Sequence, residues 1–285
     1  MTEHEHLGRL ILLRETHLDG VRPDFGALIE GVPCGWVELK APGHSLDGSQ
    51  WKGREARQWE LLAQLDALIV TNGEAAQLYL TGEPAGSAAP LPAMDDDIWD
   101  PRPLADLLRQ FVEARPRPIV RVSELSTRLA PLARMLRERL EEHLETPGSP
   151  AAITEAWQAW KMQVHEGASK KQFANDLAQV VSYSLAIAAL RGGAGADVNK
   201  DHRISLTEAR QVLSEENAVL AAAMGPVLGV AGLRAAIAVE IGALERLAAA
   251  VDHEKIAKAH DSRGEPWLWF YEDFLATYDP AARKE

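Results

Sequence analysis

Two kinds of apolar spacing divide the chain. Up to about residue 83, apolar residues fall in short runs or alternate with polar ones, and turn residues break the pattern. Leu10 to Leu13 is a first short run. Asp24 to Glu30 and Cys34 to Lys40 follow, separated by Gly31-Val32-Pro33, which predicts a hairpin with a three-residue turn. Gly53 to Leu65 places Trp59, Leu62 and Leu65 on one helical face. Ala67 to Thr71 and Ala75 to Leu80 flank Asn72-Gly73, the strongest short hairpin signal. The order strand, hairpin, helix, hairpin predicts a small α/β domain over residues 1–83.

Pro84, Pro90, Pro92, Pro101 and Pro103, together with Gly86 and Asp95-Asp96-Asp97, read as a linker over 84–103. From 104 to 265 the spacing turns helical, which predicts an all-α connector. Its helices are expected at Ser123 to Leu144, Ala151 to Val164, Ser169 to Leu190, Leu206 to Leu220 and Val230 to Val251. A final aromatic helix, Pro266 to Ala276, lies in the segment 266–285. No repeat of fixed period occurs.

Composition narrows the class. With 46% hydrophobic and 25% charged residues over 285 positions, the chain is of ordinary globular make-up and long enough for two modest cores. The net charge of −12 excludes a polybasic tail or membrane patch as the main device. Its acidic excess is shared equally between residues 1–90 and the remainder. Cys34 is the single cysteine, so there is no disulfide framework and no zinc knuckle. No apolar run approaches the roughly 20 residues of a bilayer span, and the N-terminus lacks the pattern of a signal peptide. The expectation is a cytoplasmic protein with no membrane partner.

The most informative stretch is Arg22-Pro23-Asp24-Phe25, followed fourteen residues after Asp24 by Glu38-Leu39-Lys40. With the three-residue turn, Glu30 pairs with Cys34, so Asp24 is expected opposite Lys40 and Gly26 opposite Glu38. Glu38 and Lys40 share a face, and cross-strand neighbours on one face lie about 5 Å apart. Asp24, Glu38 and Lys40 therefore converge at one end of the hairpin. Two carboxylates beside an amine suit a hard divalent cation, most naturally Mg²⁺. Such a site would hydrolyse a phosphodiester, the cation and Lys40 stabilising negative charge and activating water.

Pro23-Asp24 and Glu38-Leu39-Lys40 match the bipartite PD-(D/E)xK nuclease motif. The flanking runs resemble something narrower. They are Val37-Glu38-Leu39-Lys40-Ala41-Pro42-Gly43, Gln58-Trp59-Glu60, Leu68-Ile69-Val70-Thr71-Asn72-Gly73, Phe173-Ala174 with Ala178-Gln179 and Tyr183, and Phe270-Tyr271-Glu272-Asp273-Phe274-Leu275 with Tyr278-Asp279-Pro280. Together they resemble the nuclease-like N-terminal region and helical connector of restriction-modification enzymes of the type IIG and type ISP kind, which carry an N6-adenine DNA methyltransferase downstream. The resemblance covers most of the chain. It implies a restriction-endonuclease-like α/β domain followed by an all-α domain, and Mg²⁺-dependent cleavage of double-stranded DNA. Asp24 and Glu38 would be metal ligands, Lys40 would stand beside the water, and Gln58 would be a recurrent polar position near that water or the DNA backbone.

The chain departs from the family in two places. No glycine-rich S-adenosylmethionine loop and no Asn-Pro-Pro-Tyr motif is present, so the cofactor, the methyltransferase and the target-recognition domains are expected downstream of a front piece. Only Met1 to Gly8 precede the first strand, where the family has a helix, and Glu15 is a weak stand-in for an extra acidic residue. A different class of function is a catalytically idle scaffold, in which the fold is kept and the helical part, with its aromatic end around Trp267 to Tyr271, docks a methyltransferase.

Other features read as structural. Asp197, Asn199, Asp201, Ser205 and Glu208 fit an EF-hand spacing, but His202 replaces the glycine, and Ser205-Leu206-Thr207-Glu208 reads better as a capping box. Cys34 is expected buried, His4, His6, His253 and His260 on the surface, and Trp157, Trp160 and Trp267 in core or interface. Lys170-Lys171 reads as a solvated pair. Arg54 and Arg57 are the clustered cations best placed for phosphate.

Overall fold

The computed structural model describes residues 10–14, 23–29, 32–92, 99–115, 117–192, 204–260 and 266–279. The chain forms two compact units, residues 1–117 and 118–285.

The first unit is built on a mixed sheet. β1 (Leu10–Arg14), β2 (Phe25–Ile29), β3 (Val32–Leu39), β4 (Ala67–Thr71), β5 (Ala75–Leu80) and β6 (Glu83–Pro84) lie in that order, and β7 (Ala89–Pro90) also pairs with β5. Every pairing is antiparallel except β3 with β4. A parallel pair needs a crossover connection, and α1 (Arg54–Leu62) supplies it. β3 and β4 sit mid-sheet with both faces covered. Their buried residues are therefore near-continuous, as in Ala67, Leu68, Ile69 and Val70.

The two faces have different partners. One carries Val37, Ile69, Ala76 and Leu78 against α2 (Arg102–Glu113), whose Leu107 and Phe111 are buried. Gly35 is required here: a Cβ would run into the Phe111 ring and stand 2.7 Å from the carbonyl oxygen of Ala67. The other face carries Trp36, Glu38, Leu68, Val70 and Tyr79, with Leu62 of α1 and Leu65 just past its end also buried. Trp59 of α1 meets Tyr79 edge-on at 4.8 Å between ring centroids. Its ring also occupies the space a Cβ at Gly48 would need.

The hairpin differs from the expected one. Ile29 pairs with Val32, leaving a two-residue turn rather than three, and the register then shifts between Ala27 and Leu28, where Cys34 is the extra residue. Cys34 is buried, and its thiol faces the carbonyl of Ala27 at 3.4 Å. Beyond this bulge Phe25 pairs with Val37 and Gly26 with Trp36. Gly26 is thus not opposite Glu38, and continuing the ladder brings Asp24 beside Glu38 rather than Lys40. Beyond the bulge the net slip is two residues, so the side chains there, Glu38 among them, keep their faces.

The proline-rich stretch also needs correction. Among the described residues of 84–103, β6 and β7 hydrogen-bond to β5, and α2 starts at Arg102 with Pro103 in its first turn. The division into units follows Arg117, placing α2 with the sheet.

The second unit is helical throughout its described residues. α3 (Val122–Glu145) packs on α5 (Lys170–Leu190), α10 (Ala238–Ala249) and α12 (Pro266–Tyr278), with α4 (Ala151–Gln163), α6 (Leu206–Glu216), α7 (Ala218–Ala223), α8 (Gly225–Gly229), α9 (Leu233–Ala236) and α11 (His253–His260) around them. The expected helix Leu206 to Leu220 breaks at Asn217, whose side chain caps α7 by accepting from the Leu220 amide. The expected Val230 to Val251 starts only after the left-handed Gly232 and breaks again at Ile237. Contrary to the reading of apolar runs, the 21-residue α5 is long and apolar enough to cross a bilayer. Yet 61% of its apolar window is buried inside the unit, as in a core helix. Phe270, Phe274 and Tyr278 line the buried face of α12, while Trp269 and Tyr271 are about half exposed.

Candidate active site

The sequence-derived candidates sit where β2 begins, β3 ends and α1 passes over them. Asp24 precedes β2, and its Oδ2 accepts from the Leu39 amide at 2.7 Å. This bond ties the Pro-Asp corner to the Glu-Leu-Lys strand end across a separation of 15 residues. Glu38 lies on the α1 face of β3, paired in register with Val70. Leu39 points the other way and is exposed, and Lys40 leaves the strand with its amide donating to the Thr71 carbonyl. From above, Gln58 of α1 closes the group.

Glu38 and its surroundings are unusual for a carboxylate. The residue is only 3% exposed. Its Oε1 accepts from Lys40 Nζ at 2.9 Å and from Gln58 Nε2 at 2.9 Å. Its Oε2 is buried and has no hydrogen-bond partner. A buried carboxylate oxygen without a protein partner costs free energy. The carboxyl is pushed above the ordinary glutamate range by burial first. The charge of Asp24 adds to this, while Lys40 and Gln58 pull the other way.

Lys40 is caged. Its ammonium carries three protons and meets three acceptors: Glu38 Oε1, Gln58 Oε1 at 3.1 Å and Glu55 Oε1 at 3.4 Å. It also stands 4.1 Å above the Trp51 ring. Trp51 is fixed by its indole N–H on the Ser45 carbonyl at 2.9 Å. The other oxygen of Glu55 faces His44 Nε2 at 3.1 Å, and His44 Nδ1 faces the Ser45 carbonyl at 3.0 Å. Partial burial pushes the Glu55 carboxyl up, but the hydrogen bond from His44 and the charge of Lys40 outweigh it and leave it below its usual range.

Two carboxylates, Glu38 and Glu55, thus contact Lys40, and Glu55 also contacts His44. The excess is negative, and a buried oxygen lacks a partner. Among the described residues no group of three acidic, histidine or cysteine side chains is disposed to chelate a metal. The donor set instead fits an ion held by one or two carboxylates plus water and substrate oxygens, the manner of Mg²⁺. Asp24 and Glu38 would hold it.

Glu55, His44 and Trp51 were not among the sequence-derived candidates. Glu55 had a signal, since it lies one helical turn before Gln58 on α1. His44 and Trp51 had none, because loops bring them in. Glu15 and Asp197, Asn199 and Asp201 of the EF-hand-like stretch lie outside the described residues. The Glu208 carboxylate at the twelfth position of that stretch accepts from the Ser205 amide at 2.7 Å in a capping box. In the second unit, Lys170 donates to the Leu144 carbonyl at 2.7 Å, and Trp160 is buried against Phe173.

No protein-family model and no curated protein matches the sequence. Among solved structures, the cryo-EM structure of the DrdV–DNA complex is similar over 96% of this chain at 22% identity, with a TM-score of 0.27. This chain covers 25% of that one. So loose a superposition assigns no family.

Proposed function

We propose that the first unit is a PD-(D/E)xK-type, magnesium-dependent endonuclease module that hydrolyses DNA phosphodiester bonds. On this reading the whole chain is the front part of a restriction-modification polypeptide, with S-adenosylmethionine bound only in a downstream N6-adenine methyltransferase. The observation that carries the proposal is the buried Oε2 of Glu38, without a protein hydrogen-bond partner, on a carboxylate joined through Oε1 to the Lys40 amine and lying beside the Leu39 amide from which Asp24 accepts.

Bound Mg²⁺ supplies charge neutralisation at the scissile phosphate and a bound water of lowered pKa. The chain does the rest. Asp24 and Glu38 present their carboxylates from two strands whose relative position is fixed by the hydrogen bond from Leu39 to Asp24. Lys40 would orient the attacking water or stabilise, by its charge and hydrogen bonds, the phosphate oxygen that gains negative charge. Gln58 uses both ends of its amide, accepting from Lys40 and donating to Glu38, and so fixes the angle between them. Arg54 and Arg57, exposed on α1, are the cations for the DNA backbone.

The acidic excess of residues 1–90 favours a second reading, an idle scaffold that docks the methyltransferase. Supercoiled plasmid incubated with the chain, with and without Mg²⁺, separates the two. Nicking or linearisation that needs Mg²⁺ and falls at least a hundredfold in Asp24→Ala and Lys40→Ala supports hydrolysis. Cleavage unaltered by either substitution removes the assigned roles, and DNA binding without cleavage leaves the scaffold.

A further inference from the structure

Lys40 has three protons and three oxygen acceptors, but the acceptors are not equivalent. Glu38 and Gln58 hold it at 2.9 and 3.1 Å from buried or half-buried positions. Glu55 is the farthest, at 3.4 Å, and its side chain is 42% exposed. Glu38 and Gln58 are also bonded to each other, whereas Glu55 has a partner outside that triangle, His44 Nε2 at 3.1 Å. His44 is itself held, with its other ring nitrogen on the Ser45 carbonyl, its edge against Trp51 and its own carbonyl accepting from the Asn72 side chain at 3.0 Å.

We propose that Glu55 is a positioning residue that occupies, in the free protein, the place on Lys40 where an oxygen of the substrate phosphate binds, and that the incoming phosphate displaces it onto His44. The inference rests on the reading of the site as a phosphodiesterase. It follows from three features. The two hydrogen bonds of the Lys40 ammonium go to Glu38 and Gln58, so a phosphate oxygen approaching it competes with the Glu55 ion pair for the remaining proton. The replaceable acceptor is the one with the longest contact and the most water. A displaced carboxylate needs a partner, and Glu55 already touches one.

The placeholder has an energetic consequence. An anion held on Lys40 keeps the buried amine satisfied and excludes adventitious anions, but it repels the phosphate it must yield to. Removing its charge while keeping its shape therefore favours phosphate. Glu55→Gln is expected to bind duplex DNA about tenfold more tightly in chelator, from one fewer unit charge within about 5 Å at intermediate dielectric. The control is Glu60→Gln, an equally acidic but exposed position on the same helix. It reports only the general effect of net charge.

Two measurements on the full chain test this. In the first, fluorescence anisotropy of a labelled duplex at fixed salt compares wild type, Glu55→Gln and Glu60→Gln, with steady-state cleavage in Mg²⁺ alongside. Tighter binding confined to Glu55→Gln, with the kinetic effect falling on KM rather than kcat, supports the proposal. Equal affinities for the two variants, or a Glu55→Gln defect in kcat at unchanged KM, overturns it. In the second, an amine-acylating reagent with mass spectrometry follows Lys40 without DNA. A several-fold faster reaction of Lys40 in Glu55→Gln than in Glu60→Gln shows that Glu55 caps the amine, and equal rates overturn the proposal. A protein that binds no DNA yet shows the acylation difference refutes the nuclease reading and retains the capped amine.

Discussion

The proposed magnesium site makes a quantitative prediction through Asp24→Asn. Asparagine keeps an oxygen able to accept from the Leu39 amide, so the strand corner held by that 2.7 Å bond survives while one negative charge is lost. A doubly charged ion and a carboxylate about 4 Å apart interact by about 2 kcal/mol even at the dielectric constant of water. The substitution should therefore weaken Mg²⁺ by at least about tenfold. At a magnesium concentration about ten times the wild-type dissociation constant, binding stabilises the folded unit by about 1.4 kcal/mol, and by about 0.4 kcal/mol in the variant. For a unit of about 117 residues the unfolding entropy is about 0.25 kcal/mol per kelvin. The corresponding rises in the transition temperature are about 6 °C and about 2 °C. Titration calorimetry fixes the constants and differential scanning calorimetry of the full chain reads the shifts. An equal magnesium shift in wild type and Asp24→Asn refutes the two-carboxylate seat, as does the absence of magnesium binding by wild type at millimolar concentrations.

Two further substitutions probe the surroundings. Lys40→Ala strands the buried Glu38 charge and should cost about 3 kcal/mol at neutral pH. Because the folded Glu38 carboxyl titrates above its unfolded value, its protonation contributes stability that is complete below about pH 4.3 and lost as pH rises through the folded value. The Lys40→Ala deficit should thus shrink from pH 8 towards pH 5 in urea melts, and a deficit that ignores pH contradicts the assignment. Gly35→Ala drives a methyl group into Phe111 and should cost about 1–3 kcal/mol. Phe111→Leu should relieve part of it, giving a coupling above about 0.5 kcal/mol in a double-mutant cycle, whereas strict additivity would place the clash elsewhere.

Local chemistry made parts of the fold legible. Asn72-Gly73 fixed both ends of β4 and β5, because a tight turn and two alternating runs leave little freedom. The strand that holds Glu38 and ends one residue before Lys40 was readable for the same reason. The pairing of β2 with β3 was not. Turn length and bulge position both set register, and neither Gly31 nor Cys34 announces which residue is extra. The bulge offset one of the three positions by which the turn displaced the register, and the even remainder preserved the faces beyond it. Helix α2 was hidden because Pro101 and Pro103 look like linker punctuation, although proline also suits a first helical turn. Leu104, Leu107, Leu108 and Phe111 carried the overlooked periodicity. Breaks at Asn217 and Ile237 depend on packing rather than propensity. The His44 contact escaped because nothing in sequence spacing links a loop to the helix eleven residues later.

The bulge at Cys34 has a bearing on length changes in this hairpin. The Glu38 end of β3 is clamped on its far side by β4, through Trp36, Val37, Glu38 and Leu39, so that end has no room to slide. The spare residue sits towards the tip instead. Loss or gain of a single amino acid around residues 30–34 would be absorbed there, swapping inside for outside at the tip while the acidic corner stays in place. The hairpin thus behaves as a belt with its slack gathered at the loose end, and insertion scanning along β2 and β3 should trace that division residue by residue.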